Sequence, residues 1–390
     1  MPRIAQLELI LTERCNLGCS YCFESGKDAG NVMEPATARR ALDFLFEQAS
    51  PETDWVIVTL MGGEPLEQFP LIEDAVLYAE ELGRRYRRTP HFNLTTNGTL
   101  LEEHHLRFFQ AHGLRFCLSL DGLEEDHDLY RKTLGGRGTF RQVVDKLPMF
   151  KRYQPWQGAR MTILPRTASH LADNVRGLHE LGINQFVLGW ATSVYWPRDS
   201  VVDLNRSLEQ AFDWYLEQRL VHGNRRLRVG LFEKGEASAA FEDRGAQRTT
   251  AFGCGAGSGR IAVTPKGVFH GCSKLAWGAG GSDDAPLPLG SLDRGLDRVE
   301  DRLKLLDHSL GPRSKCSTCE LNRSCSGGCH AANLAATGNL YEPPDDFCQL
   351  MFGIKDACDY MRIRMNEHGV RSLKFGAELP DVEFGVPEPS

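Results

Sequence analysis

The chain has 390 residues, 41% of them hydrophobic and 25% charged, the balance of an ordinary globular protein rather than a disordered one. A net charge of −7 carries no footprint of a nucleic-acid binder, and no apolar run of about 18 residues is present to cross a membrane. Twelve cysteines, in a large chain whose N-terminus lacks the marks of a signal peptide, point to a cytoplasmic protein that uses thiols for metal or redox chemistry.

The first half alternates strand-like and helix-like runs. LELILT (7–12) reads as a strand, TARRALDFLFEQA (37–49) as a helix, and WVIVTLMGG (55–63) as a buried strand ending in glycines. A long amphipathic helix over 70–88 follows, then a strand at 91–98, a helix at 101–113 stopped by Gly113, and a strand at 115–122. Further helices are expected at 139–150, 171–182 and 207–223, and further strands at 158–165 and 184–190. Six β/α units mean a parallel sheet with right-handed crossovers. Runs such as VIVTL and FVLGW suit a sheet covered on both faces. Periodicity leaves open whether the sheet closes into a partial barrel or stays open. After about residue 235 Gly, Pro and Cys cluster, which predicts a loop-rich second domain over 236–375 after a first over 1–235. Residues 376–390 form an acidic, Pro-rich tail.

Cys15, Cys19 and Cys22 form C-x3-C-x2-C in the loop after the first strand. Soft thiolates suit iron–sulfur or zinc, and three ligands leave one metal position open, as catalysis needs. A structural zinc with a distant fourth ligand is the plainer reading of the spacing. The triad, with Tyr21 before its last cysteine, resembles the signature of radical S-adenosylmethionine (SAM) enzymes. Met61-Gly62-Gly63-Glu64-Pro65 resembles that family's GGEP motif at a strand end. Asn97 in TTNG, Ser119 in SLDG, and Arg131 match further family positions around SAM. The resemblance implies a partial (β/α)6 barrel and a [4Fe–4S] cluster on the triad. SAM would chelate the open iron, and its reductive cleavage would give a 5′-deoxyadenosyl radical that takes hydrogen from the substrate. The glycines would let the backbone approach SAM closely, Glu64 is the one carboxylate expected to be functional, and a flavodoxin- or ferredoxin-type donor would supply electrons.

The second array comprises Cys254, Cys272, Cys316, Cys319, Cys325, Cys329 and Cys348, with Gly267-x4-Cys272 and C-x2-C-x5-C-x3-C spacings. One or two structural zincs would explain it blandly. The spacing resembles the SPASM extension of peptide-modifying radical SAM enzymes, which implies two auxiliary [4Fe–4S] clusters. Cys316, Cys319, Cys325 and Cys348 would hold the outer one. Cys254, Cys272 and Cys329 would hold the inner one, which is then one thiolate short: open to substrate or solvent, or completed by a non-cysteine ligand. Cys117 reads as a small buried hydrophobe, and Cys358 as too far along a helix to share a cluster with Cys348.

Other features read plainly. GRRYRR (83–88) suits a helix C-terminus, with docking of an acidic leader peptide as the alternative. Trp190, Tyr195 and Trp196 suit packing against the second domain more than substrate contact, and His104 and His105 a solvated helix face. The resemblance implies a maturase forming a C–C (cyclophane-type) or thioether crosslink in a ribosomally made precursor peptide, without a peptide-recognition domain before the barrel. An anaerobic sulfatase maturase would place an aspartate base after Cys272, where this chain has Ser273. A non-catalytic, zinc-stabilised binding protein is the reading from another class.

Overall fold

The computed structural model describes residues 3–24, 28–192, 194–233, 255–277, 286–307, 314–322, 325, 327–370 and 373. Among the described residues ten strands form one sheet: β1 Gln6–Ile10, β2 Trp55–Met61, β3 Thr89–Thr96, β4 Arg115–Ser119, β5 Gly158–Ile163, β6 Gln185–Trp190, β7 Arg228–Val229, β8 Arg260–Val263, β9 Val268–His270 and β10 Gly290–Ser291. Their order is β10-β9-β8-β1-β2-β3-β4-β5-β6-β7. Strands β1 to β7 and β8 pair in parallel, and β9 and β10 close the edge antiparallel. This is the partial β/α barrel expected from the resemblance, with the cysteine-rich half joined to it edge to edge through β8 on β1.

The helices before the cysteine-rich half are α1 Pro35–Gln48, α2 Phe69–Tyr86, α3 Glu103–Ala111, α4 Glu124–Tyr130, α5 Phe140–Val144, α6 Leu147–Tyr153, α7 Leu171–Glu180, α8 Arg198–Leu220 and α9 Gly230–Glu233. Beyond them lie α10 Ser273–Trp277, α11 Val299–Leu306, α12 Ser314–Ser317, α13 His330–Thr337 and α14 Asp345–Glu367. The helix expected at 139–150 is divided into α5 and α6, and the one expected from 207 starts at Arg198. Among the described residues no helix is long and apolar enough to cross a membrane.

The core lies under one face of the sheet. Val56, Val58 and Leu60 of β2 are buried there with Leu7 and Leu9 of β1, Phe92 and Leu94 of β3, and Phe116 and Leu118 of β4. The opposite face is not covered as expected. Ile57 and Thr59 are half-buried, and Asn93, Arg115, Arg160 and Val187 are exposed. Right-handed crossovers put the helices on one face, so the concave face keeps alternating polar residues. Cys117 stands in this half-open face rather than in the core.

Four local expectations resolve on side-chain contacts. Arg88, in the basic run, donates to the carbonyls of Thr53, Ala49 and Ser50 at 3.0–3.2 Å and to that of Phe46, capping the end of α1. Trp196 is buried, its indole N–H on the Ala191 carbonyl and its backbone N–H on Asp346 of α14, while Tyr195 is exposed. His104 is exposed, but His105 is buried. Its Nδ1 accepts from the Glu102 N–H at 3.0 Å and caps α3, and burial pushes its pKa down to about 4. Cys358 is buried in α14, which packs on α8 through Arg364 and Tyr360 on Asp213.

Candidate functional site

Past Ile10 the first strand continues alongside the end of β2. Leu11 N–H donates to Met61 O, Gly63 N–H to Thr12 O and Glu64 N–H to Arg14 O, at 2.8–2.9 Å. A Cβ on Gly63 would collide with the Arg14 carbonyl, and one on Gly62 would stand 2.9 Å from that of Thr12. The glycine pair thus admits the chain segment that leads into Cys15, a neighbour that the motif alone did not indicate.

Glu64 is fully buried, at 1% exposure. Its carboxylate accepts from Thr96 Oγ1 at 2.7 Å, Asn97 N–H at 2.8 Å and Leu66 N–H at 3.2 Å. Burial pushes its pKa up to about 7 against the pull of those three donors. It ties the end of β2 to the end of β3. Asn97 in turn donates from Nδ2 to Asn16 Oδ1 at 2.9 Å, and Asn16 donates to Thr99 Oγ1 at 2.8 Å. Asn16 lies between Cys15 and Cys19, so β3 holds the cysteine loop directly.

The other side of that loop is held by backbone. Leu17 bridges Thr133, Gly18 N–H donates to Lys132 O at 2.8 Å and Ser20 N–H to Tyr130 O at 3.4 Å. Cys15, Cys19 and Cys22 are half-buried along it. The Tyr21 hydroxyl donates to Asp121 Oδ2 at 2.5 Å, and burial pushes its pKa well above the ordinary value, which keeps it a donor. Arg131 donates from Nε to the same oxygen at 2.7 Å and from a terminal nitrogen to Oδ1 at 3.3 Å, with its guanidinium 5.4 Å from the centre of the Tyr21 ring. The Thr162 N–H donates to Asp121 Oδ1 at 2.8 Å. His127 accepts at Nδ1 from the Asp121 N–H at 3.4 Å, and its Nε2 lies 3.1 Å from Thr139 Oγ1, which donates to the Arg131 carbonyl.

Tyr21, the Gly62–Pro65 turn, Asn97, Ser119 and Arg131 therefore gather at the C-terminal ends of β1 to β4, around the loop of the triad. That is the end at which parallel barrels build their sites. Two further residues serve the site without being among those expected from the motifs: Asp121, which joins Tyr21, Arg131 and β5, and Asn16. Asp121 sits two residues after Ser119 in SLDG, so the motif contained it. Asn16 had no signal beyond its place inside the triad.

Of the second array, Cys316, Cys319, Cys325 and Cys348 line one pocket, walled by apolar side chains including Leu321, Phe347, Met351 and Phe352. The N–H groups of Leu321 and Gly327 lie 3.4 and 3.3 Å from the sulfurs of Cys319 and Cys325. Burial pushes the Cys348 thiol up to about 11, so its thiolate form depends on a cation. Among the described residues no three Cys, His, Asp or Glu side chains are placed to share a single metal ion. Four thiols around a common pocket instead fit a four-iron cluster, where each thiolate takes a different iron. Cys272 precedes α10 and Cys329 precedes α13, while Cys254 lies outside the described residues.

The two cysteine regions meet at α10. The N–H of its first residue, the buried Ser273, donates to Glu8 Oε2 of β1 at 2.7 Å. Trp277 packs edge-on against Phe23, which follows Cys22, with ring centres 5.6 Å apart. Lys274 Nζ lies 5.4 Å from the centre of the Phe23 ring and 3.2 Å from Thr192 Oγ1.

Residues 9–178 match the Radical SAM superfamily. The chain is 26% identical over 352 residues to a cysteine-type anaerobic sulfatase-maturating enzyme of Clostridium perfringens, covering 84% of this chain and 89% of the relative. It is 20% identical over 390 residues to the radical SAM cyclopropyl synthase TigE of Paramaledivibacter caminithermalis, covering 93% and 73%. Among solved structures, native anSMEcpe with bound AdoMet superposes with a TM-score of 0.75 at 19% identity, over 93% of this chain and 99% of that one. Streptococcus suis SuiB bound to precursor peptide SuiA superposes at 0.61 with 16% identity, over 89% and 76%. Together with the site geometry, the family match establishes that residues 9–178 form a radical SAM domain and that the chain is an enzyme.

Proposed function

We propose that this enzyme matures a ribosomally made precursor peptide, forming a C–C (cyclophane-type) or thioether crosslink. One observation carries the reading: a three-cysteine loop, braced on both sides, at the end of a partial barrel and touched by a helix of the second cysteine region. In this reading a [4Fe–4S] cluster on Cys15, Cys19 and Cys22, with SAM, supplies the one-electron chemistry that removes a hydrogen atom from the peptide. The chain's own residues prepare the place. Asp121 fixes the Arg131 guanidinium and the Tyr21 ring, so that a carboxylate-bearing cofactor meets a pre-set cation. Glu64 and Asn97 hold the two strand ends and the loop in one register. Cys316, Cys319, Cys325 and Cys348 would hold an outer auxiliary cluster, and Cys254, Cys272 and Cys329 an inner one. A flavodoxin- or ferredoxin-type donor in the cytoplasm would supply the electrons.

Support for a peptide substrate comes from relatives of that kind: SuiB is known bound to its precursor peptide, and AlbA of Bacillus subtilis is a subtilosin biosynthesis protein. A second reading, formylglycine formation on a sulfatase, is favoured by the near full-length match to sulfatase-maturating enzymes. Against it stands Ser273, a poor base at neutral pH without an activating partner. The carboxylates Asp283 and Asp284, which could substitute, lie outside the described residues.

The deciding experiment uses anaerobically reconstituted, reduced enzyme. It should cleave SAM to 5′-deoxyadenosine, and the Cys15→Ala, Cys19→Ala, Cys22→Ala triple variant should not. Cognate precursor should lose two hydrogens by mass, while peptides with a sulfatase motif stay unchanged. Formylglycine in those peptides would select the second reading. A colourless protein with stoichiometric zinc would refute both in favour of a zinc-stabilised binding protein.

A further inference from the structure

We propose that Lys274 determines specificity by binding a carboxylate of the peptide substrate at the mouth of the barrel. This rests on the reading of the enzyme as one that acts on a peptide. Lys274 is half-buried in α10, the helix that brings the cysteine-rich half to the triad loop. Its ammonium lies 3.2 Å from Thr192 Oγ1 and 5.4 Å from the centre of the Phe23 ring. Phe23 follows Cys22 in the loop after β1, and Thr192 lies just past the end of β6. In the sheet β1 and β6 are separated by β2, β3, β4 and β5. An ammonium that touches both strand ends therefore stands across the mouth of the curved sheet. This is the end where parallel barrels build their sites, and it carries the loop of Cys15, Cys19 and Cys22.

The contacts of this ammonium select the ligand. It has three N–H donors, and the Thr192 hydroxyl takes one of them. An aromatic face is a weak partner for a partly buried charge. No carboxylate among the described residues pairs with Lys274. Glu8, which fastens the start of α10, is occupied: one oxygen accepts from the Ser273 N–H and the other lies 3.4 Å from Arg260. Arg131, the cation on the other side of the triad loop, is neutralised by Asp121. The concave face stays open, with Arg160 of β5 and its neighbour Val187 of β6 exposed. The mouth thus offers one unspent positive charge with room beside it. The anions of an unmodified peptide are carboxylates alone, of Asp, Glu or the chain end. An ammonium–carboxylate hydrogen bond is of the strong, charge-assisted kind.

The test measures retention of short peptide pools on immobilised, anaerobically reconstituted enzyme with SAM, read by mass spectrometry. The pools are acetylated and amidated, with one position fixed as Asp, Glu, Asn, Gln, Lys or Arg and the others drawn from uncharged residues. A further uncharged pool keeps a free C-terminal carboxylate. Wild type should retain an acidic pool roughly tenfold or more over its amide counterpart. Preference for the Asp or Glu pools assigns the carboxylate to a side chain, and preference for the free-ended pool assigns it to the chain end. Lys274→Gln should abolish the preference, Lys274→Arg should keep it, and Lys274→Glu should turn it toward the Lys and Arg pools. Equal retention of acid and amide by wild type, or a preference that survives Lys274→Gln, overturns the proposal. Loss of SAM affinity in Lys274→Gln would assign the ammonium to the cofactor and overturn it as well. Failure to retain any pool would count against the peptide reading itself, a result distinct from equal retention. The wild-type comparison needs no variant to fold.

Discussion

Asp121, Arg131, Glu64, Asn97 and Asn16 fasten the barrel end with side-chain hydrogen bonds of 2.7–3.3 Å. The pocket of Cys316, Cys319, Cys325 and Cys348 is walled by Leu, Phe and Met, with two backbone N–H groups near its sulfurs. The first arrangement is complete without metal, because its polar groups satisfy one another. The second has four thiols as its main polar content, and burial disfavours the charged form of one of them, Cys348. Under the proposed cluster assignment, iron would therefore be an addition to a finished structure at the barrel and part of the structure itself in the C-terminal region.

The largest expected effect breaks the comparison if it fails. Removing iron with a chelator under anaerobic conditions should leave the span from β1 to β6 resistant to protease and open residues 314–352 to cleavage. Equal protection of both regions would show that apolar packing alone holds the C-terminal pocket.

Next comes the barrel brace. Asp121→Ala leaves Arg131 buried and unpaired, which should cost about 3–5 kcal/mol by chemical denaturation and abolish SAM binding by calorimetry. A smaller loss, with SAM affinity intact, would mean that the pair does not prepare the site.

A third effect depends on pH. Burial, with Arg131 adding to it, pushes the pKa of His127 down to about 3. A histidine that is depressed in the folded state binds fewer protons there than in the unfolded state. Its stability contribution is thus present above about pH 6.5 and lost as pH falls toward 3. The loss is on the order of 4 kcal/mol and should appear as a falling unfolding midpoint. His127→Gln should flatten that slope while leaving the iron content of the C-terminal region unchanged.

The smallest effect lies away from both sites. Arg88→Ala removes the cap on α1 and should cost about 1.5 kcal/mol with no change in SAM cleavage.

Much of this was legible from residue patterns. Alternating strands and helices gave the parallel sheet, because apolar runs of strand length bounded by caps admit few other topologies. The triad and the Gly62–Pro65 turn located the site, because a metal loop and a close-packed glycine pair need fixed spacing. The concave face was misread. VIVTL is apolar enough to suggest cover on both sides, and only the neighbouring strands, with Asn93, Arg115 and Arg160, reveal that one face is half-open. His105 was misread because its burial depends on the Phe69 ring packed against it at 4.3 Å, a contact from another helix. Asp121 and Glu8 went unnoticed because a single carboxylate acquires meaning only from partners 10 to 265 residues away.

The pairing of β1 with β8 also bears on how the chain is made. β1 lies in the interior of the sheet between β2 and β8, yet β8 begins at Arg260, about 250 residues after β1 ends at Ile10. At about 5–20 residues per second, the ribosome needs on the order of 10 to 50 s to deliver that partner. For that interval one edge of β1, carrying Leu7 and Leu9, stays unpaired on the nascent chain, which is the kind of edge that recruits other strands. The cysteine loop sits directly beyond this open edge. Synthesis should therefore favour a chaperone on the emerging barrel and loading of iron after residue 263 has left the ribosome, and truncations ending before β8 should aggregate rather than yield a working half-enzyme.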